Sequence, residues 1–215
     1  MRLAELSERS GVSTATIKYY LREQLLPPGR RITATRSEYG EEHLRRLRLV
    51  RALIQIGRVP VSTAREVVTA VEDDARDQLT RLGTAVEALP YGPEPDAHDP
   101  SVDVARRTAT ELLERMDWRF SLERTDSPRA FDMLVAAIAA LHRLGYACEP
   151  AHLLRYARQA SELAVADLDL IEEYGTPAER VEAAVALTVL YEPVLLSLRR
   201  LAEAEESNKR FGTGS

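Results

Sequence analysis

Two short amphipathic helices joined by a tight turn begin the chain, and their spacing restricts the fold more than any other feature. Leu3 and Leu6 lie on one face of a predicted helix over residues 2–10. Gly11 is expected to end this helix, because glycine readily adopts the positive φ angles found at helix C-termini. Ser13 is a suitable N-cap for a second helix. Two helices separated by so short a turn predict a helix-turn-helix.

The second predicted helix, over residues 14–23, has a buried face and a recognition face. Ile17, Tyr20 and Leu21 follow the i, i+3, i+4 spacing of a buried face, which favours a core position for Tyr20. Recognition helices enter the DNA major groove, where small side chains permit close approach and hydroxyl groups bond to bases or phosphates. Lys18 and Tyr19 are expected to meet the DNA backbone. The candidate DNA contacts in this segment are Ser13, Thr14, Ala15, Thr16, Lys18, Tyr19 and Tyr20.

A proline-rich break separates the second helix from a predicted β-hairpin. Pro27 and Pro28 stop the helix because proline lacks an amide donor and disfavours helix in the residue before it. Residues 30–39 are short, rich in threonine and arginine, and bounded by glycines, which predicts a hairpin that forms a wing beside the recognition helix. Its basic and aromatic side chains are expected to reach phosphate or a minor groove. These candidates are Arg30, Arg31, Arg36 and Tyr39.

Charge is distributed unevenly along a chain whose formal net charge is −5. Residues 1–71 contain 13 lysines and arginines against 7 acidic residues, whereas residues 72–215 contain 16 against 27. The N-terminal segment therefore carries +6 and the remainder −11. This division predicts a basic module that meets a polyanion and an acidic module that does not.

A helical repeat of apolar residues follows the basic module. It continues from Ala64 to Leu89 at spacings of three and four, so residues 63–89 are either one long helix or two helices broken near Asp73. Such a seam is typical of a partner helix, and an intramolecular core stripe is the alternative. The predicted domain organisation is a DNA-binding domain over residues 1–72, a dimerisation helix over 73–89, a proline-rich linker over 90–100, a helical domain over 101–206 and a disordered tail over 207–215.

The N-terminal motifs resemble the MerR family of bacterial transcription regulators. The resemblance rests on L-A-E-L-S-x-x-S-G-V-S-x-x-T-I-K-Y-Y, then L-L-P-P-x-R-R, then R-x-x-Y-G-E-E-H-L, in this order over about a third of the chain. It implies a winged helix-turn-helix, a homodimer joined by a long antiparallel helix, an operator with two-fold symmetry and a promoter shared with RNA polymerase. The chain departs from the family at Lys18, Leu21 and Gln24, where arginine, an acidic residue and glycine are usual.

The C-terminal region is predicted to be helical, which makes the fold class mainly α with one small hairpin. Trp118, Phe120 and Leu122 alternate with polar residues, which predicts an extended segment, and Ser127 is expected to begin the next helix. Two long helices are predicted over residues 150–174 and 177–204, the second opened by a Thr-Pro-Ala-Glu capping box. Both are apolar enough to add a second dimer contact. A small organic effector is expected among aromatic side chains, with Trp118, Phe120, Tyr156 and Tyr191 as candidates.

Other classes of function are poorly supported by the sequence. Cys148 is the only cysteine, so neither a disulfide nor a cysteine-based metal site is expected, and no cofactor fingerprint or catalytic arrangement occurs. Uninterrupted apolar runs fall short of the roughly 20 residues of a membrane span, and a cytoplasmic protein without a membrane partner is expected. A DNA-binding factor whose helical domain docks a protein and senses no ligand is the alternative function.

Overall fold

The computed structural model describes residues 1–33, 36–73, 75–90, 92, 94–96, 98–123, 129–146 and 148–212. It confirms the predicted fold class, because the described residues form ten α-helices and one two-stranded hairpin. The chain divides into two compact units. The first combines Met1–Leu89 with Ile171–Ser215, and the second is Pro90–Leu170.

The first unit contains the predicted winged helix-turn-helix. Its hairpin is antiparallel, with Arg30 opposite Glu38 and Arg31 opposite Ser37. The elements of this unit are α1 (Leu3–Ser10), α2 (Thr14–Arg22), β1 (Arg30–Thr33), β2 (Arg36–Glu38), α3 (Glu41–Arg51), α4 (Val61–Glu72), α5 (Gln78–Glu87) and the last helix of the chain, α10 (Pro177–Phe211).

Local sequence signals set the ends of the recognition helix α2. Gly11 has φ of 67° at the end of α1, and the Ser13 side chain accepts a hydrogen bond from the Thr16 amide at 3.1 Å. Both features confirm the predicted turn. At the other end Gln24 has φ of 58°, in the left-handed region that favours glycine. The turn after α2 therefore keeps a glycine-like conformation although its residue is glutamine.

The apolar faces of these helices meet in one core. Leu6, Ile17 and Leu47 are fully buried there, and Val181 and Val185 of α10 join them. Helix α3 continues as a π-helical segment over Ala52–Ile56. Because α10 supplies part of the core, the N-terminal domain is completed by residues from the far end of the chain.

The seam over residues 63–89 forms two helices and not one. Helix α4 ends at Glu72 and α5 begins at Gln78, and Val68, Val71 and Ala85 are buried in the core of the first unit. The stripe is therefore intramolecular at these positions, as the alternative reading of the seam predicted. Among the described residues of the predicted dimerisation helix, 78–87 are helical and the others are not.

The structure also revises the predicted domain division at the C-terminus. Helix α10 was predicted to belong to the helical domain over residues 101–206, but it packs in the first unit against α3, α4 and α5. The predicted disordered tail over residues 207–215 is wrong for its first five residues, since α10 continues to Phe211. Intrahelical contacts of Arg210 and Lys209 with Glu206 support these last turns.

The second unit is helical. Its elements are α6 (Ser101–Arg115), α7 (Arg119–Glu123), α8 (Arg129–Arg143) and α9 (Pro150–Glu172), although the last two residues of α9 belong to the first unit. Helices α6 and α8 pack through Ala105, Ala109, Val135 and Ile138, and the Cys148 side chain is buried beside them. The predicted extended segment at residues 118–122 is wrong, because α7 occupies most of it. The predicted helix start at Ser127 and parts of the linker over residues 90–100 lie outside the described residues.

Candidate nucleic-acid interface

Helix α2 presents a polar face to solvent and an apolar face to the core. Thr14, Ala15 and Lys18 are exposed, Thr16 is half-buried, and Tyr19 is 37% exposed. The Ser13 hydroxyl lies 2.8 Å from the Thr16 hydroxyl, which fixes the first turn of the helix. The predicted recognition face therefore forms one continuous exposed surface.

Tyr20 belongs to the core and not to this surface. It is 4% exposed, and burial raises the pKa of its hydroxyl. Its carbonyl accepts hydrogen bonds from the amides of Leu25 and Leu26 at 2.9 and 3.3 Å. Its assignment as a DNA contact is not supported by this position. Tyr20 instead holds α2 and the following turn together, beneath the Tyr19 ring 5.9 Å away.

The wing carries three exposed arginines at its described positions, which are Arg30, Arg31 and Arg36. The Arg30 guanidinium donates to Glu38 at 2.5 Å across the two strands. This hydrogen bond and the charge of Arg30 hold the pKa of Glu38 below its usual value. Glu38 is therefore charged and partly offsets the wing's positive field.

A basic groove runs between the start of α1 and the wing, and it includes a residue that sequence reasoning missed. Arg2, Arg36 and Ser37 line a groove of about 450 Å³ together with Leu3 and Tyr39. The Tyr39 amide donates to the Met1 carbonyl at 2.9 Å, which ties the two segments together. A basic residue ahead of α1 was visible in the sequence, but no local signal connects it to a hairpin more than 30 residues later.

Tyr39 reaches this groove from a mostly buried position. It is 7% exposed, and its ring meets the His43 ring edge-on with centroids 5.1 Å apart. His43 accepts a hydrogen bond from the Gly40 amide at its Nδ1 atom, at 3.0 Å, and so caps α3. Tyr39 therefore anchors the wing to α3 and also lines the groove.

Comparisons with known proteins agree with this geometry. A model of the MerR HTH family regulatory proteins matches residues 1–71. A crystal structure of SCO5550 from Streptomyces coelicolor A3(2), a protein classed as a transcriptional regulator, is 52% identical, covers all of both chains and superposes with a TM-score of 0.87. Residues 1–71 therefore form a MerR-family helix-turn-helix domain. The HTH-type transcriptional regulator ZntR homolog of Haemophilus influenzae (strain ATCC 51907 / DSM 11121 / KW20 / Rd) is 24% identical over 95 residues, which are 38% of this chain and 70% of that protein.

The chain is therefore a DNA-binding transcriptional regulator with a MerR-family helix-turn-helix domain. The similarity to SCO5550 extends beyond the helix-turn-helix to the whole helical C-terminal region. Among the described residues no group of three or more histidine, cysteine, aspartate or glutamate side chains could hold a metal ion.

A cluster of ion pairs joins α10 to the DNA-binding helices of this regulator. Arg46 of α3 is 5% exposed and lies 2.8 Å from Glu72 of α4 and 3.5 Å from Glu182 of α10. Its guanidinium also donates to the Val68 carbonyl at 3.3 Å. Burial lowers the pKa of Arg46 and raises that of Glu182. The cluster fixes α3, α4 and α10 relative to one another.

The four predicted effector contacts are only partly brought together. Trp118 and Phe120 line one apolar cavity of about 210 Å³ in the second unit. The rest of its lining comes from α6, α7 and α8, through Leu113, Ser121, Ala130, Phe131 and Leu134. Tyr156 is 52% exposed on α9, and Tyr191 lies on α10 in the first unit. Neither of these two tyrosines lines the cavity.

Proposed function

We propose that this protein regulates transcription by binding a pseudo-palindromic promoter site as a homodimer, with α2 in the major groove and the wing on the flanking backbone. The observation that carries the proposal is the continuous exposed face of α2 beside the basic groove of Arg2 and Arg36. Thr14 and Ala15 are small enough for close approach to base edges, while Lys18 and Tyr19 are placed for phosphates.

Arginine suits the wing positions because its planar guanidinium bonds phosphate oxygens in a bidentate manner. Arg2 and Arg36 share one groove lining, so a single phosphate or two adjacent phosphates would meet both side chains. Arg30 makes its contact with DNA while paired to Glu38, or exchanges that carboxylate for phosphate. The function places the protein in the cytoplasm at a promoter, with RNA polymerase as a further partner.

Lys18 provides a direct test, because the chain contains only one other lysine, Lys209 at the end of α10. Selection of binding sites from genomic DNA by the purified full-length protein would first identify the operator. Each lysine is then replaced by alanine, and operator affinity is measured at several salt concentrations. We expect Lys18→Ala to weaken binding and to reduce the magnitude of the salt slope by about 0.9, the value for one lost phosphate contact.

Lys209→Ala serves as the matched control, since it removes the same charge far along the chain from the helix-turn-helix. Equal salt slopes for wild type and Lys18→Ala would remove Lys18 from the phosphate contacts. A full-length protein that selects no DNA sequence would contradict the proposed function as a whole. An operator without two-fold symmetry would contradict the homodimer while leaving DNA recognition in place.

We propose that a small organic effector modulates operator binding, and the cavity beside Trp118, Phe120 and Phe131 supports this proposal. Its lining is mainly aromatic and aliphatic, so the ligand it fits is a compact, largely apolar molecule with an aromatic ring. Thermal-shift screening of such compounds, followed by operator affinity with each binder, tests the proposal. Phe131→Ala should abolish the shift, and Tyr156→Ala, outside the cavity, should not. If the screen finds no compound that binds, and a co-purified protein alters operator affinity, the results would favour the alternative in which the helical domain docks a protein.

A further inference from the structure

The second half of α10 projects from the first unit without a covering surface. Residues 177–189 supply buried side chains to the core, whereas every residue from Glu192 to Gly212 is exposed. Twenty exposed helical residues correspond to about 30 Å of helix. An isolated helix of this length is only marginally stable in water, so its continuity calls for a partner along its side.

The exposed part of α10 carries a seam of large apolar side chains, which we call the α10 seam. It begins at the half-buried Tyr191 and continues through the exposed Val194, Leu198 and Leu201, at spacings of 3, 4 and 3. Leu198 is 57% and Leu201 63% exposed. Spacings of this kind keep apolar residues on one side of a helix and are typical of helix pairing. Leu195 and Ala202 flank the seam and widen the apolar face.

A lipid bilayer is one candidate occupant of this surface. By length and composition α10 could cross a membrane, because its most apolar 18 residues have a mean hydropathy of 1.7. However, 28% of that stretch is buried within the protein. A span would have to withdraw Val181, Val185 and Val189 from the core and break the contact of Glu182 with Arg46. These contacts favour a partner that covers the exposed half of α10 and leaves residues 177–189 packed in the core.

We propose that the α10 seam pairs in an antiparallel manner with the same seam of a second copy of this chain. The proposal rests on the homodimer of the proposed function and identifies the helix that forms it. Residues 190–211 contain four basic and four acidic side chains, so two copies carry no net repulsion. A parallel pair would place Arg199 and Arg200 beside their own counterparts, whereas antiparallel pairing separates these like charges.

Antiparallel geometry also suits the two docked domains and the size of the interface. Each α10 is fixed to its own DNA-binding domain through residues 177–189, and antiparallel helices place the two domains at opposite ends of the pair. Such a pair is a closed two-fold contact. If two helices about 30 Å long each bury one side, the pair removes on the order of 1,000 Å² of accessible surface from water. This area reaches the size of a specific protein–protein interface.

The segment that directly follows the DNA-binding domain is a weaker candidate for the dimer helix. Helix α5 has 10 residues, and Arg81 and Ala85 on its inner face are already buried in the core of the first unit. Its one large exposed apolar side chain is Leu79, at 61% exposure. The α10 seam offers four large apolar side chains over three turns.

Leu201→Glu and Leu79→Glu form a matched pair that separates the two helices. Both leucines lie on helices and are more than 60% exposed, so neither substitution should unfold the chain. The mass in solution is measured by light scattering after gel filtration, without DNA and without detergent. We expect wild type and Leu79→Glu to have twice the 24.0 kDa mass of one chain, and Leu201→Glu to have the mass of one chain. The helix-preserving variant Leu201→Ala should raise the dimer dissociation constant at least tenfold.

The outcomes distinguish this proposal from the homodimer itself. If Leu79→Glu dissociates the dimer and Leu201→Glu does not, α5 is the dimer helix and the pairing through α10 is wrong. A wild-type dimer that resists both substitutions would also overturn it, because the dimer contact would then lie on another surface. A monomeric wild type that still occupies a symmetric operator as two copies would refute pairing through α10 and retain the DNA-binding function. Partition of wild type into vesicles of neutral lipid would favour the membrane.

Discussion

Gly57 lies against Val189 of the C-terminal helix α10, and replacing it tests whether α10 is part of the DNA-binding domain. A Cβ atom at Gly57 would lie 2.5 Å from Val189 Cγ1 of α10 and 3.0 Å from the Leu53 carbonyl oxygen. Ordinary contacts of this kind are 3.4–4 Å. Gly57→Ala therefore forces α10 away from the π-helical segment by about 1 Å, or distorts a stiff β-branched side chain.

The expected cost follows from two opposing effects. Overpacking of a closed core costs about 1–3 kcal/mol. Gly57 has φ of −73° and ψ of −11°, which alanine adopts without strain, so the lower entropy of the unfolded chain returns about 0.4–1 kcal/mol. We expect Gly57→Ala to lower the free energy of unfolding by roughly 1–2 kcal/mol. Val189→Ala should lower it by about 2 kcal/mol, since it removes two buried carbon atoms and leaves a small cavity.

The double variant decides whether these two effects share one contact. In Gly57→Ala/Val189→Ala the new methyl group enters the space that the valine leaves, so the combined loss should be smaller than the sum by about 1–2 kcal/mol. Urea unfolding at one fixed protein concentration measures all four proteins, because a dimer makes stability depend on concentration. Losses that add to within about 0.5 kcal/mol would refute the contact and, with it, the docking of α10 on the DNA-binding domain.

Three further substitutions test individual features of the first unit. Gln24→Gly should raise the free energy of unfolding by about 0.5–1 kcal/mol, because glycine relieves the positive φ at this turn; a loss of stability would contradict that reasoning. Arg2→Ala should weaken operator binding and reduce the salt slope as Lys18→Ala does, and an unchanged slope would exclude Arg2 from the interface. Burial raises the pKa of Glu182 above the usual 4.5, so its contribution to stability is full below that pH and is lost as pH rises through the raised pKa. Relative to wild type, Glu182→Gln should therefore gain stability in thermal unfolding as pH rises above the usual pKa of 4.5, and a constant difference would contradict the shift.

Local signals in the sequence were sufficient for the recognition helix and its ends. The Ser13 cap, the turn at Gly11 and the break at Pro27 each act within a few residues, and the structure has α2 between them. The Thr176–Glu179 capping box likewise opens α10 with both of its hydrogen bonds formed. Such signals are readable because the groups that satisfy one another are neighbours in the chain.

Non-local packing explains the features that the sequence did not predict. Arg2 is held beside the wing by two hydrogen bonds of its neighbour Met1, whose amino group donates to the Tyr39 carbonyl and whose carbonyl accepts from the Tyr39 amide. The Trp118–Leu122 alternation matched a strand, but Trp118 and Phe120 face a cavity made by three helices, and tertiary packing decided the conformation. The apolar stripe of α10 was visible, yet periodicity alone does not say that its first half packs against the N-terminal domain.

The contacts of the first unit form one continuous route between α10 and the recognition helix. Arg65 of α4 donates to the carbonyl and carboxylate oxygens of Glu23, at 2.7 and 2.8 Å, and so holds the C-terminal end of α2. Glu72 of the same helix contacts Arg46, which also contacts Glu182 of α10. Since closely packed elements shift as units, a change in the position of α10 must be absorbed by α3 and α4, which support α2. If a second copy binds the exposed half of α10, dimer formation then acts directly on the scaffold that positions the DNA-reading face, and dimerisation and operator recognition are expected to be coupled.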